Sequence, residues 1–242
     1  MLGERKLSNK SEVSIKMRHN LKVTILTVES YLGKGEFNAL LPLVSVTKQD
    51  RISRFRFVED AQNTLLGDVL ARVELCAITG LDNNQLIFSV NEYGKPFLTN
   101  VANVHYNISH SGRYIVCALS SSPVGVDVEL IKPIDLRIAK RFFTQEESEY
   151  IVEPEDGNEF ERFFQVWTMK ESYIKKGGMG LSKPLRSFSV FNTLTDNPHY
   201  YHLVYKNNEA ISYICTSISE VPVVKITSIT DLLEEISHMC HT

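Results

Sequence analysis

Gly125-Val126-Asp127-Val128-Glu129 alternates valine with an acid, and a β-strand turns that alternation into two faces. Asp127 and Glu129 share one face, while Val126 and Val128 share the other. Two converging carboxylates suit Mg²⁺, which favours hard oxygen ligands and keeps waters and substrate phosphates in its shell. An amphipathic edge strand with two solvated acids has the same pattern, so the strand alone leaves both readings open.

The strand predicted over Val124 to Leu130 follows another over Tyr114 to Leu119, across a Ser-Ser-Pro turn. Upstream, Asn107-Ile108-Ser109-His110-Ser111-Gly112 reads as a turn before a strand. Its hydroxyls, imidazole and backbone donors are either plain turn chemistry or good phosphate ligands. Downstream lies Trp167-Thr168-Met169-Lys170-Glu171-Ser172-Tyr173-Ile174-Lys175, where helical spacing brings Trp167, Glu171, Ile174 and Lys175 to one side. Glu171 either pairs with Lys175 at i,i+4 beside a core tryptophan or turns inward as a third carboxylate.

The rest of the chain follows a mixed plan. A strand is predicted over Leu21 to Val28, then a long or broken helix over Lys48 to Arg72. A strand, a Tyr93-Gly94-Lys95-Pro96 turn and a second extended piece fill Leu86 to Leu98. The second half repeats the plan loosely. Helices are expected around Ile138 to Arg141, from Thr144 and from Glu159 to Lys176; strands at Phe188 to Val190, Tyr201 to Tyr205, Ile211 to Thr216 and Val223 to Ile229. Thr144 and Glu147 have the spacing of a capping box. Arg54-Phe55 opens one helix and Arg162-Phe163 sits in another, which suggests a duplicated α+β unit.

Length and composition exclude other classes. The 242 residues, 43% of them hydrophobic, can bury one large core or two modest ones. A net charge of -3 offers no basic field for nucleic acid or an anionic membrane, so an anion site must be local. No apolar run reaches the ~20 residues of a membrane span. Four scattered cysteines without a CxxC pair, and an opening without an apolar signal core, point to a reducing cytoplasm. Gly177-Gly178-Met179-Gly180 is no Walker loop, no Gly-x-Ser-x-Gly elbow occurs, and His199-x-x-His202 and His238-x-x-His241 are poor zinc sites.

Taken together, the motifs resemble the 4′-phosphopantetheinyl transferases of the surfactin-synthetase-activator type, from about Leu21 to the last strands. That family has a Gly-[Val/Ile]-Asp-x-Glu strand followed some forty residues on by Trp-[Ser/Thr]-x-Lys-Glu-[Ser/Ala]-x-x-Lys. Both are complete here, with Asn-Ile-Ser-His-Ser and Gly-Lys-Pro upstream. The resemblance implies an α+β fold, a pseudo-twofold duplication of two similar α/β subdomains with the active site in the cleft between them. A flexible extension (1–20) would precede an N-terminal subdomain (21–122) and a C-terminal subdomain carrying the metal ligands (123–242).

It further implies that Asp127, Glu129 and Glu171 hold Mg²⁺ with the pyrophosphate of coenzyme A. Lys95 and His110 would touch coenzyme A phosphates or adenine-ribose, Ser109 and Thr64 would seat the nucleotide, and Glu147 would lie near it. Lys48 and Arg51 match a basic pair for the 3′-phosphate; Asn63 stands where a relative has arginine. The implied reaction moves phosphopantetheine to a serine of an apo peptidyl or acyl carrier domain, releasing 3′,5′-ADP. Glu171 would act as base, directly or through a metal-bound water; Lys175 would serve the leaving phosphate and Lys170 would add positive charge. A monomer, as an internal pseudo-dimer, is expected. Two rivals remain: a coenzyme A sensor without catalysis, and a metal-dependent phosphohydrolase or nuclease.

Overall fold

The computed structural model describes residues 13, 14, 17, 19–152, 157–192, 194, 196–205 and 208–239. In chain order its elements are β1 (Val13–Ser14), β2 (Leu21–Thr27), α1 (Lys34–Leu40), α2 (Val46–Ile52), α3 (Val58–Thr79), β3 (Phe88–Val90), β4 (Pro96–Leu98), β5 (Val101–Ala102), β6 (His105–Ser111), β7 (Tyr114–Ser120), β8 (Val124–Leu130), α4 (Arg137–Phe142), α5 (Gln145–Val152), α6 (Glu159–Gly177), β9 (His199–Val204), β10 (Ala210–Thr216), β11 (Val223–Ser228) and α7 (Ile229–Met239). No described helix is long and apolar enough to cross a membrane.

Each half sets one long helix on one sheet, the second sheet antiparallel and the first antiparallel except for its β11–β2 pair. In the first, α3 lies on β6 and β7 of a sheet ordered β11-β2-β7-β6; in the second, α6 lies on β8 and β10 of a sheet ordered β8-β10-β9. Strand alternation divides the apolar residues among three cores. Ile115, Cys117 and Leu119 of β7 face α3, whereas Tyr114, Val116 and Ala118 face the other sheet, where they meet Val124, Val126 and Val128 of β8. Phe163, Phe164, Val166 and Ile174 of α6 pack beyond β10 in a third cluster. The layers therefore run helix, sheet, sheet, helix. Both long helices stop at a glycine in the left-handed region, Gly80 (φ 68) and Gly178 (φ 67), a backbone state that other residues adopt only at a cost.

Most predicted elements are present, and the differences have physical causes. Asn107 to Ser111 is not a turn but the end of β6; the turn is Gly112, at φ 53. Phe188 to Val190 makes no strand, because Lys170 already takes the Phe188 carbonyl and Glu147 the Val190 amide. Arg54-Phe55 lies between α2 and α3 rather than opening a helix. Thr144 and Glu147 do close the expected capping box, Thr144 N donating to Glu147 Oε2 at 3.0 Å and Glu147 N to Thr144 Oγ1 at 3.4 Å.

Subdomain boundaries are less simple than expected. β11 pairs parallel to β2, and α7 packs on α3 with Leu232 buried, so the end of the 123–242 segment completes the first sheet. That pairing covers the β2 edge left open by β7. Within the expected loose extension, Val13–Ser14 pairs with β5 and Met17 is buried; residues 1–12 lie outside the described set. His199 and His202 sit on opposite faces of β9, while His241 lies outside the described residues.

Candidate active site

The two sheets meet along β6 and β8, and polar side chains knit the seam. β8 pairs with β10 through one edge. Its other edge donates Val126 N to Asn107 Oδ1 (2.8 Å), Val128 N to Ser109 Oγ (3.3 Å) and Leu130 N to Ser111 Oγ (3.1 Å). Alternation along β6 puts these three side chains on one face. They satisfy backbone donors that the layered core would otherwise leave without partners.

The same hydroxyls hold the acids. Ser109 Oγ donates to Asp127 Oδ1 at 2.9 Å and Ser111 Oγ to Glu129 Oε2 at 2.8 Å. From α6, Lys175 Nζ reaches Asp127 Oδ1 at 2.5 Å and Ser109 Oγ at 3.0 Å. Trp167, Glu171 and Lys175 stand one turn apart, and with Ile108, Ser109, His110, Asp127 and Glu129 they line an open cleft of about 400 Å³. A larger hollow of about 660 Å³ lies between α4, α5 and Arg186 but lacks these acids.

Gly125 explains how helix and strand come this close. A Cβ there would fall 2.0 Å from the Ser172 carbonyl oxygen and 2.3 Å from Lys176 N, so only glycine lets the β8 backbone touch that of α6.

The acids repel one another. Burial, then the Asp127 charge, raises the pKa of both Glu129 and Glu171 above the ordinary carboxylate value. Desolvation lowers that of His110, followed by repulsion from Lys175, with Arg51 adding to it. Asp127 is 4% exposed, and its Oδ2 is buried without a hydrogen-bond partner. An orphaned buried carboxylate oxygen beside two further acids is a donor set suited to a hard divalent cation. Among the described residues no three ligating side chains are drawn into a ready-made cluster; the Lys175 ammonium offsets the charge instead.

Other expected site residues are distributed differently. Arg51 is exposed on α2 beside a hollow lined by Thr47, Asp50, Arg54 and Phe55, near enough for its charge to act on His110. Lys48 lies 3.4 Å from Asp68, Thr64 is half-buried on α3, and Asn63 Nδ2 donates to the Gly112 carbonyl at 3.0 Å.

The structure does not bring Lys170 or Glu147 to the cleft. Both are fully buried in a 2.8 Å ion pair, and Lys170 Nζ also bonds the carbonyls of Leu185 and Phe188. One residue along a helix is a rotation of about 100°, which turns Lys170 into the core while Glu171 faces the cleft. Lys95 Nζ is occupied by the carbonyls of Val124, Lys175 and Lys176, and burial followed by Lys176 pulls its pKa down to about 8. Sequence reasoning missed Ser111 and Asn107 as individual partners of β8. Their spacing of two with Ser109 was the available signal, hidden once the segment was read as a turn.

Comparison with known proteins gives the same direction. Residues 33–122 match the family described as 4′-phosphopantetheinyl transferase, N-terminal, and residues 123–223 match the 4′-phosphopantetheinyl transferase superfamily. A 4′-phosphopantetheinyl transferase of Bacillus subtilis is 42% identical over 179 residues, covering 74% of this chain and 79% of its own. The Sfp enzyme of Bacillus subtilis strain 168 is 42% identical over 70% of this chain and 76% of its own. The gsp enzyme of Aneurinibacillus migulanus is 34% identical over 91% and 94%. With two matched family regions meeting at the seam that carries the acids, and relatives of this identity along most of its length, the chain belongs to the 4′-phosphopantetheinyl transferases of the Sfp type.

Proposed function

We propose that the seam cleft transfers the 4′-phosphopantetheine of coenzyme A to a serine hydroxyl of an apo peptidyl or acyl carrier domain, with Mg²⁺, releasing 3′,5′-ADP. The observation that carries this reading is the meeting of Asp127, Glu129 and Glu171 with Lys175 in one cleft. The three carboxylates would hold Mg²⁺, which when bound neutralises charge on the pyrophosphate. His110, Ser109 and Thr64 would seat the nucleotide, with Lys48 and Arg51 at its 3′-phosphate.

Glu171 takes the proton of the attacking serine hydroxyl, a role that its place on the cleft wall beside Asp127 allows. As the serine oxygen bonds to the β-phosphorus, the bridging oxygen leaves with the electron pair as 3′,5′-ADP. The Lys175 ammonium stabilises the departing charge. Lys170 and Glu147 support α6 from inside the core rather than touching the substrate. The nucleophile belongs to the carrier, so the cleft needs no activated serine or cysteine of its own. We place this activity in a cytoplasmic monomer; the described free thiols Cys76, Cys117 and Cys215 are all buried.

Chromatography of 3′,5′-ADP tests the reading against a phosphohydrolase. Release should require the apo carrier and vanish when its serine is replaced by alanine. Equal cleavage of coenzyme A without any carrier would overturn it.

A further inference from the structure

The C-terminal turn of α6 carries Lys175 to Asp127, yet the last carbonyls of that turn are held by side chains from the other half of the molecule. Helix ends leave carbonyls without intrahelical partners. Gly178 N takes the Ile174 carbonyl at 2.9 Å. Those of Lys175 and Lys176 are taken by Lys95 Nζ, at 2.5 and 3.2 Å, from the turn between β3 and β4. The third donor of the same ammonium goes to the Val124 carbonyl on β8 at 3.0 Å. One step further, Asn91 Nδ2 donates to the Gly178 carbonyl at 2.8 Å.

Asn91 also shapes the turn that presents Lys95. Its Oδ1 accepts from Tyr93 N at 3.0 Å and from Lys95 N at 2.8 Å, and its backbone N–H donates to the Lys95 carbonyl at 3.0 Å. The fit is tight at Gly178, where a Cβ would lie 2.9 Å from Asn91 Nδ2 and 3.0 Å from Lys95 Cδ.

We propose that Asn91 and Lys95 are positioning residues: the β3–β4 turn clamps the last turn of α6 to β8 and so sets where Glu171 and Lys175 stand. An ammonium has three donors, and all three of Lys95's are engaged by main-chain carbonyls. A coenzyme phosphate could reach it only by breaking one. A cation is also favoured at a helix C-terminus, where the peptide dipoles converge. In this proposal the Lys95 ammonium acts through the backbone, in place of the coenzyme contact that the resemblance implies. This inference rests on the proposed reaction for its kinetic consequence, but not for the clamp itself.

The test measures steady-state transfer and calorimetric coenzyme A binding for the full-length protein and its Lys95→Met and Asn91→Ala variants. Both variants should lose about tenfold to a hundredfold in kcat through misplacement of the reacting groups, with KM and Kd for coenzyme A within about twofold. A Lys95→Met protein with weakened coenzyme binding and intact kcat, beside a wild-type-like Asn91→Ala, would overturn the proposal. Should Lys95→Met fail to fold, Asn91→Ala carries the same split alone. Amide hydrogen exchange over residues 174–178 separates this inference from the reaction. Exchange should quicken in the variants whether or not a carrier is modified, and unchanged exchange would defeat the clamp even in an active enzyme.

Discussion

Asp127, Glu129 and Glu171 share one cleft with the Lys175 ammonium beside them, so the fold keeps charges that burial and mutual repulsion oppose. The folded protein holds the protons of Glu129 and Glu171 more tightly than the unfolded chain does. Their contribution to stability therefore falls as pH rises from the ordinary carboxylate value through their raised pKa values, and is recovered on acidification. Glu171→Gln removes one charge from the cluster. It should raise the melting temperature at pH 7 by a few degrees, about 1 kcal/mol in a chain of this size, while transfer falls about 10²–10⁴-fold with the loss of the base. Scanning calorimetry and a turnover assay read the two effects; a lower melting temperature would show that the acids are not in conflict. At this scale the sequence was most legible where periodicity decides direction. Alternation put Asp127 and Glu129 on one face, and helical spacing put Glu171 and Lys175 together. It was least legible at Lys170 and Lys95, because a lysine's charge suggests solvent or ligand and only packing reveals a carbonyl cage.

Between elements, α6 is held in place by two different devices. Gly125 lets the backbones of β8 and α6 touch, and Gly125→Ala would force them apart, since its new methyl group would overlap the Ser172 carbonyl and the Lys176 amide. Overpacking of this kind costs about 1–3 kcal/mol or more. Activity should fall further than stability because Lys175 moves with the helix. Gly67→Ala, whose Cβ would meet side-chain methyls alone, Ile108 Cγ2 at 3.1 Å and Ile115 Cγ2 at 3.6 Å, is the milder comparison. Urea denaturation and turnover of both variants would check this, and equal effects would contradict it.

The second device is the buried Lys170–Glu147 pair, which ties α5 and the segment before Val190 to α6. Lys170→Met strands a carboxylate in the core and should cost about 3–5 kcal/mol, with Lys170→Met/Glu147→Gln recovering part of it in the same denaturation experiment. Recovery of nothing would mean that the two do not act as a pair. The capping-box spacing at Thr144 revealed the start of α5, but it could not reveal that Glu147 also faces Lys170. One side chain serves both, and only the second partner is remote in sequence.

Across the whole molecule, the plan of two similar halves was legible from repeated helix and strand patterns, and the strands of both sheets other than β6 fall within a residue or two of their predicted bounds. What the sequence hid is long-range pairing. β11 completes the sheet begun by β2, about two hundred residues earlier, and neither strand carries a mark of its partner. The β6–β8 seam is equally non-local: Asn107, Ser109 and Ser111 read as turn residues until β8 is laid beside them. That seam is where the halves meet and where the acids stand, so the junction itself is the proposed catalytic site. Mass spectrometry of an apo carrier domain incubated with the protein, coenzyme A and Mg²⁺ tests it most directly. The carrier should gain one phosphopantetheine mass, and the gain should disappear both with EDTA and with Asp127→Ala. A carrier modified equally well by Asp127→Ala would contradict the account.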